Sequence, residues 1–259
     1  MKIIVCIKQV PSTNEVRLDP VTNTIIRDGR QSVTNPFDSY ALEQAVELKE
    51  KMGGTVTVLS MGIPDTERLL RDAMSRGADA ALLLSDRAFA GADTLATSYT
   101  LSLGVRKLGG ADLILCGKMA VDGDTAQIGP ELSEQLGIAH VTDVSEILSI
   151  EAGRITVRRL CDGGSQTLEV RLPALLTVLK DINMPRMPSI AGVRAGMTAP
   201  LLRCNAADLQ PDLTRIGLNG SPTQVVRTYT PQRQSEAIPV LGDAKQQAAA
   251  LAELLKEVC

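Results

Sequence analysis

The stretch "GKMAVDGDTAQIGP", residues 117–130, sets three glycines, a lysine and two carboxylates between a buried apolar run, 111–116, and a helical pattern. A glycine-rich loop that opens onto a helix is suited to phosphate, because the first N–H groups of the helix have no internal acceptor and point outward. Asp122 and Asp124 would repel a phosphate, so they need other work. Asp124-Thr-Ala-Gln127 has capping-box spacing and predicts a helix from near Thr125, with Asp124 accepting its first N–H bonds and Gln127 reaching back. Asp122 is placed to accept from sugar hydroxyls, as the acid of dinucleotide sites does. Phosphate then meets the amides of residues 125 to 128, with Thr125 and Gln127 as side-chain donors. The spacing fits neither G-x-x-x-x-G-K-[ST] nor G-x-G-x-x-G. The residues by themselves therefore leave two readings open, a nucleotide loop or a well-capped glycine-rich turn.

Other candidates carry the same ambiguity. "GADTLATS" at 91–98 offers hydroxyls at Thr94 and Thr97, yet Asp93 has the position of an ordinary helix N-cap. Asn35-Pro36-Phe37-Asp38 reads as a turn whose Asp38 caps a helix, or as part of a site. "MGIPD" at 61–65 leaves another strand end. The single histidine, His140, lies at a helix-to-strand connection, and a Ser-His or Cys-His nucleophile or a multi-histidine metal site would have to depend on it. It reads as a turn residue, and no catalytic or metal role is assigned to it.

The elements that must position these residues alternate. Ile3–Ile7, Thr55–Ser60, Ala80–Leu84 and Leu113–Cys116 are strand-like apolar runs. Helical patterns cover Phe37–Met52, stopped by Gly53-Gly54, then Pro64–Arg76 and Asp93–Leu108, and finally the segment from the quoted loop to about Leu136. Such units imply an open, doubly wound, Rossmann-like α/β parallel sheet, in which ligands bind beyond the carboxyl ends of the strands. Asp19–Arg27 suggests a small hairpin. Val141–Ile150, Arg154–Cys161, Thr167–Arg171 and Ala174–Leu179 read as antiparallel additions at one edge. Residues 185–239 hold seven of the 13 prolines and few periodic segments, so they read as an extended arm laid on a partner. A helix over Asp243–Val258 follows, opened by "DAKQ" as a capping box, with apolar Ala248, Leu251, Leu255 and Val258 on one face. The expected organisation is a nucleotide-binding domain, 1–184, and a docking segment, arm and helix, 185–259.

Composition excludes several classes. A net charge of −3 and 2% aromatic residues argue against nucleic acid, which needs a basic stripe and stacking rings. No apolar run reaches the roughly 18 residues that span a bilayer, and "MKIIVCIKQV" reads as a first strand, not a signal peptide. The five cysteines are scattered and never form a CxxC pair, as expected for reduced thiols in a cytoplasmic protein.

Taken together, "VCIKQVP" at 5–11, "NPFDSYALEQAVELKE" at 35–50, "GKMAVDGDTAQIGPELSEQLG" at 117–137, "DGGSQTLEVRLPALLTV" at 162–178 and "INMPRMPSIAGV" at 182–193 resemble the β subunit of electron transfer flavoproteins over nearly the whole chain. The resemblance implies a subunit with no conventional active site, paired with an α subunit that carries an exchangeable FAD. Its own nucleotide site holds AMP in the simple branch and a second FAD in the electron-bifurcating branch. By position, that site comprises Cys6; Asn35, Pro36, Phe37 and Asp38; Met61; and Gly117, Lys118, Met119, Ala120, Val121, Asp122, Gly123, Asp124, Thr125, Ala126, Gln127 and Ile128. "DGDTAQ" at 122–127 and "GADTLAT" at 91–97, with Asp93, Thr94 and Thr97, resemble the bifurcating branch. They imply FAD, NADH as donor, and ferredoxin or flavodoxin and a flavin dehydrogenase, such as an acyl-CoA dehydrogenase, as acceptors.

Met187, Pro188, Ser189, Ile190, Ala191, Gly192 and Val193 correspond to a docking loop for that dehydrogenase. Met184 departs from the family, which usually has Glu there, and this bears on partner recognition. "LGIAHVTDV" departs from the more usual "LGIPQVT". The alternatives are a simple carrier with structural AMP, or a nucleotide-sensing or adenylating α/β protein. The last is disfavoured because "CIKQVPSTN" after the first strand contains no glycine.

Overall fold

The computed structural model describes residues 1–12, 32–226 and 239–258. β1 (Lys2–Cys6) is followed by a small antiparallel pair, β2 (Gln9–Pro11) and β3 (Ser32–Thr34), and then by α1 (Pro36–Met52). β4 (Thr55–Met61), α2 (Glu67–Ser75), β5 (Ala80–Leu84), α3 (Thr94–Lys107), β6 (Leu113–Gly117) and α4 (Ile128–Leu136) continue the alternation. β7 (Ala139–Glu151), β8 (Arg154–Cys161), β9 (Gly164–Arg171) and β10 (Ala174–Val178) come next. They are followed by α5 (Ile190–Thr198), β11 (Leu201–Cys204) and the short α6 (Ala206–Leu209). The expected hairpin at Asp19–Arg27 lies outside the described residues.

The main sheet has nine strands in the order β11-β5-β4-β1-β6-β10-β7-β8-β9. The chain runs outward from β1 to β4 and β5, then returns to place β6 on β1's other side, so a topological switch point lies between β1 and β6. Loops leaving two such strands diverge and open a crevice, where ligands of doubly wound sheets bind. Alternate residues of β1 feed the two faces. Ile3 and Val5 pack with Ala41, Ala45 and Leu70 of α1 and α2, while Ile4 and Cys6 pack with Tyr99, Val105 and Leu132 of α3 and α4. Each fully buried aliphatic side chain contributes about 1.5–3 kcal/mol. Gly53, at φ 75°, ends α1 and returns its N–H to Lys49 O at 2.8 Å, in a conformation that a residue with Cβ rarely adopts.

Three expectations are corrected. The helix read over Pro64–Arg76 begins as a 3₁₀ turn, Pro64–Thr66, because proline sets the first φ but donates no N–H bond. Ala174–Leu179 is not an antiparallel addition: β10 lies inside the sheet, parallel to both β6 and β7, and only β7, β8 and β9 form an antiparallel edge. The stretch after Pro185 is more regular than an arm, since α5 packs on α2 and β11 extends the sheet parallel to β5. Packing supplied there what periodicity did not, because Gly192 and Gly196 let α5 lie directly on the backbone of Ser75.

The first compact unit is Met1–Gln224 and takes in α5, β11 and α6. The second, Val225–Cys259, contains α7 (Ala244–Val258). The capping box foreseen there is present: Asp243 Oδ1 accepts the Gln246 N–H at 2.9 Å, and Gln246 Oε1 accepts the Asp243 N–H at 3.0 Å. Among the described residues no helix is long and apolar enough to cross a membrane, and no cluster of His, Cys, Asp and Glu could hold a metal.

Candidate functional site

At the switch point the chain is tied across its own crevice. Asp38, in the first turn of α1, accepts the Lys8 N–H at 2.8 Å and the Gly117 N–H at 3.2 Å, so one carboxylate spans the exits of β1 and β6. It does not cap its own helix, as the sequence suggested it would. Burial pushes its pKa up to about 7, although the N–H bonds from Lys8 and Gly117 and the neighbouring Asn35 act to lower it. Gly117 is required by this contact: a Cβ there would stand 2.5 Å from Asp38 Oδ1 and 2.6 Å from Phe37 Cβ. Cys6 and Cys116 are both buried in one core cluster, and the Cys116 thiol, donating to Cys6 and buried, is pushed well above the usual thiol range. Asn35 bonds to the backbone of Met119 and Val121. Asp122 is paired with Lys8, Nζ to Oδ1 2.7 Å, and Lys118 with Asp143, also 2.7 Å.

The loop's second half departs from its expected form. α4 begins at Ile128, not near Thr125, and its N-cap, Gln127, makes no side-chain cap bond. Asp124 and Ala126 have φ of 50° and 54°, and the N–H of Asp124 goes back to Ala120 O at 2.9 Å, so Asp124 turns the chain instead of capping a helix. Left-handed backbone tolerates Asp better than Ala, and at Ala126 it costs on the order of 1 kcal/mol. The left-handed turns at Asp124 and Ala126 carry the chain to the start of α4 without a side-chain cap. The amides of Thr125, Ala126, Gln127, Ile128 and Gly129 make no hydrogen bond within the described residues. The amides of 125 to 128 that the sequence reading offered to phosphate are thus unpaired among the described residues, on a backbone other than the expected capping box. Beside them Gly123 has nothing within 4 Å of the position its Cβ would take, which leaves the bend open to close approach.

The third strand-end loop reaches this bend. Asp93 caps α3 as expected, Oδ1 accepting the Ala96 N–H at 3.0 Å, while Oδ2 accepts the Thr223 N–H at 3.0 Å. Thr94 Oγ1 lies 3.3 Å from Gln127 Oε1 and 3.0 Å from Glu131 Oε1. Thr97 stands one turn further along α3, and Met61, half-buried, ends β4. Neither is hydrogen-bonded through its side chain to the 117–128 loop.

Two residues escaped the sequence reading. Lys8 follows β1 inside "VCIKQVP", and its role rests on a partner far along the chain. Glu131 has a buried Oε2 without a partner, and burial raises its carboxyl above the usual range. Its place in the first turn of α4 was the available signal. His140 accounts for itself structurally through a 2.8 Å contact of Nδ1 with Ser133 Oγ.

The segment read as a docking loop, Met187 to Val193, enters a helix at Ile190. Ser189 caps α5, accepting the Gly192 N–H at 3.0 Å, and Gly192 faces Ser75 of the same chain. Met187 and Ile190 remain 81% and 78% exposed, with Met184 and Met197 also exposed, so an apolar face points to solvent. Arg186 fixes its start through Glu43 and Glu50, at 2.9 and 2.6 Å.

The model of the electron transfer flavoprotein domain matches residues 22–209. The chain is 47% identical over 256 residues to electron transfer flavoprotein subunit beta of Thermoanaerobacterium thermosaccharolyticum, covering 98% of each chain. It is 44% identical over 259 residues to subunit CarD of the caffeyl-CoA reductase-Etf complex of Acetobacterium woodii, covering 99% of this chain and 98% of the relative. It is 42% identical over 262 residues to protein FixA of Bradyrhizobium diazoefficiens, covering 98% and 91%.

Proposed function

The chain belongs to the electron transfer flavoprotein family, as a β subunit, and from that premise we propose that it binds FAD at the 117–128 loop and carries electrons from NADH toward a ferredoxin or flavodoxin and a flavin dehydrogenase. The observation that carries the reading is the meeting of two strand-end loops: Thr94 stands beside Gln127, next to the unpaired amides at the start of α4. FAD, longer than AMP by a second phosphate, a ribityl chain and a flavin ring, has groups enough to engage both loops. A bound flavin supplies the redox chemistry that no side chain of this chain offers. The protein's part is to bind and orient. The amides of residues 125–129 and the positive end of α4 hold the diphosphate. Asp122, its Oδ1 engaged by Lys8, offers its other oxygen to a sugar hydroxyl. Thr94 and Thr97 line the approach of the ring.

The test is the nucleotide content of the denatured αβ heterodimer. Two FAD and no AMP are expected, and one FAD with one AMP would assign the protein to the simple branch. Gly123→Val sharpens the result. Open space around Gly123 and its ordinary φ mean that the variant should fold as the wild type does, while losing FAD and NADH-dependent reduction. Full-rate reduction by that variant would exclude this loop as the site.

The exposed face at Met187–Val193 is the proposed docking surface for the dehydrogenase, a reading in keeping with the reductase complex in which CarD is named. Ile190→Ala should weaken that complex by about 1–3 kcal/mol, the loss of one buried aliphatic side chain. Bound nucleotide should be unaffected. Unchanged affinity in a calorimetric titration would show that the face serves some other contact.

A further inference from the structure

Asn35 occupies the N-cap of α1, where an asparagine ordinarily accepts a bond from its own helix, and it makes no such bond. Its side chain is spent elsewhere. At 1% exposure, Nδ2 donates to Met119 O at 2.9 Å and Oδ1 accepts the Val121 N–H at 3.2 Å. The two bonds straddle Ala120, whose carbonyl accepts the N–H groups of Gly123 and Asp124 at 3.2 and 2.9 Å. One buried amide thus fixes residues 119–121, and these in turn fix the bend that presents the amides of residues 125–129. Asparagine suits this work because it offers a donor and an acceptor on one rigid plane, matching a backbone carbonyl and a backbone N–H two residues apart. Aspartate keeps the acceptor but sets an oxygen against the Met119 carbonyl.

Resting on the reading that residues 117–128 form the nucleotide site, we propose that Asn35, placed in that site by position, acts on it as a positioning residue: it sets the path of residues 119–124 through their backbone. The experiment compares Asn35→Ala and Asn35→Asp with the wild type in the assembled heterodimer, by hydrogen exchange and by separate titrations with FAD and with AMP. Both variants should raise exchange over residues 118–124 at least tenfold, the aspartate variant no less than the alanine variant, because it sets a buried carboxylate against the Met119 carbonyl and beside Asp38. The amides of β4 and β5 should not change. FAD and AMP should both weaken, since both place a phosphate against the loop's amides. Unmoved loop exchange overturns the proposal. So does loss of protection that extends to β4 and β5, which would make Asn35 a general stability residue. FAD weakened while AMP is not, or either weakened with loop amides unmoved, overturns it in favour of direct contact. Raised loop exchange with both affinities unchanged preserves the positioning role and instead removes this loop as the nucleotide site.

Discussion

Gly117→Ala should destabilise the protein by at least about 3 kcal/mol and strip it of nucleotide. The added methyl group would stand 2.5 Å from Asp38 Oδ1, 2.6 Å from Phe37 Cβ and 2.7 Å from the Phe37 carbonyl carbon. Two of these neighbours cannot rotate away, because they belong to the first turn of α1. β6 cannot retreat either, since it is paired with β1 on one side and β10 on the other. Overpacking of a tight interior typically costs 1–3 kcal/mol, and here it also breaks the bond between Asp38 and the Gly117 N–H at the root of the loop. Urea unfolding beside Gly123→Val makes the contrast: one glycine is filled by its own protein, the other is open. A Gly117→Ala protein with wild-type stability would mean that α1 can move away from the sheet.

The second large effect is a dependence of stability on pH that comes from Asp38. Its folded pKa of about 7 lies above the ordinary aspartate value of 3.8, so between these values the native protein holds a proton that the unfolded chain has released. Stability therefore falls as pH rises through that window and levels off above about 7, opposite to the usual salt-bridged carboxylate. The full excursion is no more than about 4 kcal/mol, at 1.36 kcal/mol per pKa unit. Asp38→Asn removes the titration and one of two acceptors, at a cost of about 1 kcal/mol that does not vary with pH. Denaturant unfolding of both proteins from pH 5 to 8 should give a difference that shifts in the variant's favour as pH rises. A constant difference would mean that Asp38 is ionised throughout.

Much of the fold was legible in the residues, where the signal is local. Continuous apolar runs marked the buried strands, and Gly53 marked the end of α1. Asp93 and the Asp243–Gln246 box marked helix starts three residues from their own partners. Patterns that depend on distant partners were misread. β10 looks like any short strand, and its parallel place beside β6 is decided by the hydrophobic face that it completes. α5 has little periodicity of its own and forms because two glycines fit it against α2.

The candidate site divides along the same line. The sequence by itself determined which loops leave the carboxyl ends of the strands, and that their residues resemble those of an electron transfer flavoprotein β subunit. It did not determine the loop's form. The Asp124-Gln127 spacing is satisfied on paper by a capping box. The chain takes the left-handed path at Asp124 and Ala126 instead, with Asn35 holding Met119 and Val121 from 84 and 86 residues away. Lys8 claims Asp122 from a distance of 114 residues. A capping box is worth about a kilocalorie per mole and is written within four residues. The bonds that Lys8, Asn35 and Asp38 make to the loop outweigh it, and they exist only once the sheet has brought those segments together.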